Sequence, residues 1–395
     1  MMSQCSKREL WETIQPRYLK VSKAGKHKIL DEFIASTGYH RKYAIRILKH
    51  GYSRSHGKKK GKKPVYRGEV VVVLEQVWEI YGRICSKRLY PFLPEGIRIL
   101  ERCHELSLSA ETKQLLLSMS RSTIDRCLHP IRFRSPHGLS TTKPGTLLKK
   151  AIPVRTFADW DENKPGFLEI DLVAHCGETA EGQYLNTLTC TDVCTGWTEP
   201  IALRRRSQQT VRDALHDIRP ELPFAMLGID SDNGSEFIND LLYHYCLDEY
   251  ITFTRSRPYK KNDQAHVEQK NWSVVRHTVG YDRLDTDAEF ELLTSIYSDL
   301  RLYINFFQPV LKLVFKGRVA DKLIKIYDQT CTPYQRIMSR ADIPLETKAR
   351  FTNLYVKLNP VALHNSIVLK VSKLWKLSKQ LFYLSHRYLY RNLFY

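Results

Sequence analysis

Three carboxylates stand out by their company and spacing. Asp171 lies in the alternating stretch "EIDLVAH", and Asp232 lies in "GIDSDNGSEF", where Asp230, Asp232 and Glu236 fall within seven positions. Glu268 lies in "DQAHVEQKN", with 35 residues between it and Asp232. Acids gathered in one cleft repel one another and hold protons more tightly. A hard cation makes such a cluster tolerable, and Mg²⁺ favours a few carboxylates together with waters and substrate phosphates. Two such ions about 3.5–4 Å apart can activate a water or a 3′-hydroxyl against a phosphodiester and stabilise the leaving oxygen. The chemistry predicted is therefore phosphoryl transfer on two ions held by Asp171, Asp232 and Glu268, with no small-molecule cofactor.

The elements that must position these acids are legible as changes of period. Strand-like alternation covers 167–175, 184–193 and 197–204, separated by turn residues. A helix at 207–222, a strand at 224–230, a helix at 236–249, a strand at 251–257 and a helix at 263–280 follow. The predicted fold class is α/β with a mixed sheet in the order βββαβαβα, and the acids meet at the strand ends. Asp230 and Asp232 stand two apart, so in a continuing strand both would face one side and periodicity does not choose between them. Asp232 has the Asn233-Gly234 turn to aim it, whereas Asp230 sits in the apolar strand. Asp192, before Gly196, reads as a turn former rather than a fourth acid. His175 and His266 read as DNA or outer contacts, because Mg²⁺ prefers oxygen. Glu236 reads as a favourable charge at the start of the helix it opens.

The rest of the chain is strongly basic, with a formal net charge of +20 over 395 residues. Residues 1–68 hold 18 Lys and Arg against 4 Asp and Glu, and residues 361–395 hold 6 against none. Both ends read as phosphate-binding arms, and DNA is the expected partner. Within 23–50, two apolar stripes at helical spacing flank Gly38, a helix-turn-helix pattern whose second helix would present His40, Arg41, Lys42, Arg46 and Lys49 to a duplex. The run "GKKKGKK", with Lys58, Lys59 and Lys60, reads as a linker able to lie along the DNA backbone. Tyr259, Lys260 and Lys261 read as a loop that grips substrate ahead of the catalytic helix.

The organisation expected is a basic helix-turn-helix region at 1–68, a second all-α region at 69–130 with another such motif at 110–128, a linker at 131–160, a catalytic core at 161–310 and a basic region at 311–395. The nine cysteines are scattered and odd in number, which suits reduced thiols and not a zinc site. No apolar run approaches the ~20 residues that span a bilayer. The start lacks a signal-peptide pattern, so a cytoplasmic protein without a membrane partner is expected.

The motifs "EIDLVAH", "SDNGSEF" and "RPYKKNDQAHVEQKN" together resemble the D,D-35-E constellation of retroviral integrases and related bacterial insertion-sequence transposases. "TGYHRKYAIRIL", "TDVCTGWTE", "LRLYINFFQPVLKL" and "YDQTCTPYQRIM" are similar to further segments of the transposase group. The resemblance implies a ribonuclease H-like core, Mg²⁺ or Mn²⁺, cleavage at the ends of a mobile element, and joining of the freed 3′-hydroxyl to target DNA by a homo-oligomer on the DNA. Its spacing favours Asp232 over Asp230. The chain departs from the retroviral pattern in lacking an N-terminal His/Cys zinc module. The basic residue that relatives place two turns beyond the Glu falls on Val275, which leaves Lys270 and Arg276 as candidate phosphate contacts. A nuclease that cuts without joining, and a DNA-binding regulator that has lost its chemistry, are the alternatives.

Overall fold

The computed structural model describes residues 2–52, 65–132, 163–232, 234, 236–237, 239–256, 265–319 and 322–378. They fall in two compact units, Met1–Val65 and Tyr66–Tyr395. In the first, helices α1 (Gln4–Lys20), α2 (Lys23–Thr37) and α3 (Arg41–His50) close on Tyr18, Leu30, Phe33, Ala44, Ile47 and Leu48. Gly38 ends α2 at φ 70°, where a Cβ would be strained, and its amide returns to the Ile34 carbonyl. Helix α1 was not anticipated, yet it pins the motif, because the Trp11 indole donates to the Ile47 carbonyl at 2.9 Å.

The second unit begins with helices α4 (Glu69–Ile80), α5 (Ser86–Arg102), α6 (Ala110–Leu117) and α7 (Arg121–Arg132). Helices α6 and α7 form the short pair expected at 110–128, and the Ser120 hydroxyl accepts the Thr123 amide at the start of α7. Next come strands β1 (Phe167–Ala174), β2 (Asn186–Asp192) and β3 (Thr198–Leu203), helix α8 (Gln208–Ile218), strand β4 (Gly228–Ser231), helix α9 (Asp240–Asp248), strand β5 (Thr252–Arg255) and helix α10 (Ala265–Lys270). The sheet order is β3-β2-β1-β4-β5, with β1–β3 antiparallel and β4 and β5 parallel to β1. This is the βββαβαβα arrangement of a ribonuclease H-like core, preceded by an all-helical region.

Strand alternation gives the sheet two different faces. Leu168, Ile170, Leu188, Cys190, Ile229 and Phe253 pack with α8 and α9 in the main apolar core. The other face carries Glu169, Asp171, Thr187, Thr189, Thr191, Asp230 and Thr254, in register across the strands. It is covered by α10 and its continuation: a π-helical stretch Asn271–Arg276, a turn of helix α11 (His277–Val279), and helix α12 (Asp287–Phe307).

The chain then forms a ribbon of β6 (Leu313–Val319) and β7 (Lys322–Tyr327), followed by helices α13 (Pro333–Met338), α14 (Leu345–Lys357) and α15 (Pro360–Leu377). The expectation of a basic arm over 361–395 is corrected as far as Ser378. Ile367, Val371 and Leu374 recur at helical spacing and bury α15 against α12, while Lys370 pairs with Asp299 at 2.5 Å. The remainder of that arm lies outside the described residues. Among those described, no helix is long and apolar enough to cross a membrane.

Candidate active site

Asp171 projects from the middle of β1 onto the polar face, half-buried, opposite Thr189 of β2. Asp232 follows the last residue of β4, where its carboxylate accepts the Gly234 amide at 2.8 Å and so closes the turn after the strand. Glu268 is exposed on α10. The three are electrostatic neighbours. Burial, and after it the Asp232 carboxylate, pushes the Asp171 carboxyl up to about 7, with Glu268 and Glu236 adding to the effect. Asp232 is also raised, chiefly by burial, with the charge of Glu236 opposed by Arg206.

Two buried oxygens next to Asp171 bear on whether a cation fits. The Asn271 amide nitrogen donates to Asp171 Oδ2 at 2.6 Å, while Asn271 Oδ1 has no partner among the described residues; neither has Thr189 Oγ1, across the ladder from Asp171. An all-oxygen set of three acids beside orphaned oxygens suits a hard, hydrated ion such as Mg²⁺ or Mn²⁺. As the side chains stand, they are neighbours rather than a closed ligand set: among the described residues no group of three His, Cys, Asp or Glu could already hold an ion.

Glu169 was missed from the sequence. It is buried two residues before Asp171 on the same face, and its Oε2 accepts the amides of His266 and Val267 at 2.9 and 3.1 Å. The first turn of the helix that carries Glu268 is thereby fixed to the strand that carries Asp171. The signal was the spacing, since acids at i and i+2 of a strand share a face. Asp230 is fully buried beside Glu169 in the ladder and accepts a hydrogen bond from Thr254 at 2.7 Å, which makes it a packing acid inside the sheet.

Three expectations are corrected by contacts. Glu236 does not open a helix: α9 starts at Asp240 behind the Asn239 cap, and Glu236 is buried in an ion pair with Arg206 at 2.7 Å. His175 is buried against Thr187 at 2.7 Å, and burial, then Arg276, pushes it down to about 3, so it stays neutral and offers no surface contact. Arg276, expected at a phosphate, donates to the Ala174 and Gly280 carbonyls and lies over the Tyr281 ring. Lys270 stands two residues beyond Glu268, about 200° around the helix at ~100° per residue. It faces a small cavity with Arg88 and Lys312 and is pushed down to about 7 by burial, then by Arg88 and Arg336. Asp192 does form the expected turn, accepting the Thr195 amide and hydroxyl and the Gly166 amide.

In the first unit, His40, Arg41, Lys42, Arg46 and Lys49 are all exposed on or just before α3, while Ala44, Ile47 and Leu48 are buried. Arg41 pairs with Asp31, and Arg46 lies over the Tyr43 ring. Lys58, Lys59, Lys60, Tyr259, Lys260 and Lys261 lie outside the described residues.

A ribonuclease H-like sheet with Asp171 on its polar face, Asp232 just past the end of the neighbouring strand and Glu268 on the helix after the last strand is the class that fold and site define. The chain belongs to the same family as the uncharacterized protein y4rM of Sinorhizobium fredii (strain NBRC 101917 / NGR234), with 40% identity over 341 residues, 85% of this chain and 96% of that one. No family model matches the chain. Among solved structures, the catalytic core domain of BIV integrase aligns with 48% of this chain and 98% of its own length, at 14% identity and a TM-score of 0.30. That superposition is too loose to carry residue correspondences.

Proposed function

We propose that the chain is a metal-dependent polynucleotidyl transferase, a transposase that cuts at the ends of a mobile DNA element and joins the freed 3′-hydroxyl to target DNA. The observation that carries this reading is that Asp171 has Asp232 and Glu268 as electrostatic neighbours at one half-buried position, where burial first, and then the Asp232 and Glu268 charges, raise the Asp171 carboxyl. Divalent ions bound there would activate the attacking oxygen and stabilise the leaving one. The three carboxylates would hold those ions, Asn271 fixes the rotamer of Asp171, and Glu169 fixes the start of the helix bearing Glu268. Helix α3, with an exposed basic face over a buried apolar one, is the proposed reader of the element's ends. Copies of the chain assembled on DNA would bring two ends together.

The test supplies the full-length chain with Mg²⁺ or Mn²⁺, a duplex ending in the element's terminal repeat, and a target plasmid. Cleaved ends and covalently joined products are the expected result. Cleavage without joining would identify a nuclease, and binding without either would identify a regulator.

A further inference from the structure

The strongest feature outside the acid cluster is the cavity behind the catalytic helix. It measures about 50 Å³, and its lining includes Arg88 of α5, Lys270 of α10 and Lys312 ahead of β6, together with Thr191, Gln269 and Ser273 and an apolar side of Val193 and Leu311. At ~10–15 Å³ per water this is room for about four waters, the size of a single tetrahedral oxyanion. No carboxylate lines it among the described residues. Neither Arg88 nor Lys270 has a hydrogen-bond or ion-pair partner among the described residues, and Lys312 spends one donor, at 2.6 Å, on the Cys194 carbonyl. Asp192 lies within electrostatic reach of Lys312, but no described carboxylate faces the cations in the cavity itself, and an anion there would relieve their repulsion while accepting their idle donors. The π-helical stretch contributes a second observation. Widened turns of this kind are rare and concentrate at functional sites, and this one contains Ser273, which lines the same cavity.

We propose that this cavity is a phosphate site, in which Arg88, Lys270 and Lys312 bind one phosphate group and tie the helical region to the back of the helix that carries Glu268. The phosphate comes either from a DNA backbone or from free inorganic phosphate. The site stands independently of the transferase reading, since a chain that neither cuts nor joins DNA would still bind phosphate here.

The test uses the full chain and inorganic phosphate, with chloride at matched ionic strength as the control. Phosphate should raise the melting temperature of the wild type. Lys270→Gln and Arg88→Gln should each weaken phosphate binding at least tenfold in calorimetry, and Lys270→Arg should retain it. Without phosphate, Lys270→Gln should melt no lower than the wild type, because it removes an uncompensated cation; a lysine serving only as packing would show the opposite. A DNA-binding titration against salt separates the sources. If the phosphate belongs to DNA, both Gln variants weaken DNA binding and flatten the slope of log K against log salt by about 0.9. If it is free, DNA binding is unchanged while the phosphate response is lost. A phosphate response equal to that of chloride, or one unaltered in both Gln variants, overturns the proposal. Should Lys270→Gln fail to fold, Arg88→Gln carries the same comparison.

Discussion

The Glu169 carboxylate accepts the Val267 backbone amide at 3.1 Å, and so joins the strand of one proposed metal ligand to the helix of another. A charged acceptor at a helix N-terminus contributes about 0.5–2 kcal/mol. Glu169→Gln should therefore lower the melting temperature modestly. Its larger effect should be on chemistry, since partners that orient metal ligands are typically worth about 10–100-fold in metal affinity or activity. Single-turnover cleavage measured against Mg²⁺ concentration, beside DNA affinity, checks this. A variant with unchanged rate and metal dependence would reduce Glu169 to a structural cap.

Asp171→Asn and Glu268→Gln should each abolish cleavage and joining while leaving binding to the element's ends nearly intact. Gel-shift and cleavage assays on the same preparations decide the matter. Parallel loss of binding would show that these carboxylates serve folding instead.

Asp232→Asn should lower strand transfer by at least ~10³, the loss of about 4 kcal/mol of transition-state stabilisation. Asp230→Asn should act mainly on stability, because Asp230 is fully buried with Thr254 donating to it, and disturbing a buried hydrogen-bonded acid costs about 1–3 kcal/mol. Thermal melts and rates measured together separate the two. A dead but stable Asp230→Asn beside an active Asp232→Asn would reverse the assignment.

The pH dependence follows from Asp171, raised to about 7 in the ion-free protein. The folded chain holds this proton more tightly than the unfolded chain, where a carboxyl titrates near ~3.9. The contribution to stability is thus fully present below ~4 and is lost as pH rises toward about 7. With chelator present, wild type should lose melting temperature across that window relative to Asp171→Asn. Added Mg²⁺ should restore it in wild type and not in the variant. Indistinguishable curves would remove the electrostatic argument for a metal site.

Deleting residues 1–65 removes one compact unit and leaves the other whole. The truncated chain should lose its preference for the element's ends while retaining weak, metal-dependent nicking. Competition between end-bearing and random duplexes provides the measure, and an undiminished preference would move recognition away from α3.

The sheet was legible because strands alternate and their turns are marked, so Asp171 and Asp232 could be placed from local pattern alone. Side-chain destinations were less so. Lys270 and Arg276 looked alike as basic residues near Glu268, but where each points depends on the phase of a helix lying on a sheet, which no local pattern encodes. Glu236 was misread because its partner, Arg206, is thirty positions away and reaches it only through the fold. Glu169 was within reach of strand periodicity and was overlooked because an acid in an apolar strand reads as exposed until a helix is found over it.

The π-helical stretch Asn271–Arg276 also has a consequence for how this helix tolerates change. A widened turn holds one residue more than an α turn, so it behaves as an insertion absorbed without breaking the helix. Beyond it, every position is out of step by roughly 100° with a count made from Glu268. Val275 and Arg276 lie within the widened stretch itself, Val275 buried and Arg276 turned toward the Ala174 carbonyl. It also gives the segment slack of one residue. A single deletion within 271–276 could be taken up by tightening to α geometry with Glu268 left in place, whereas the same deletion between Val267 and Glu268 would swing the carboxylate away from Asp171.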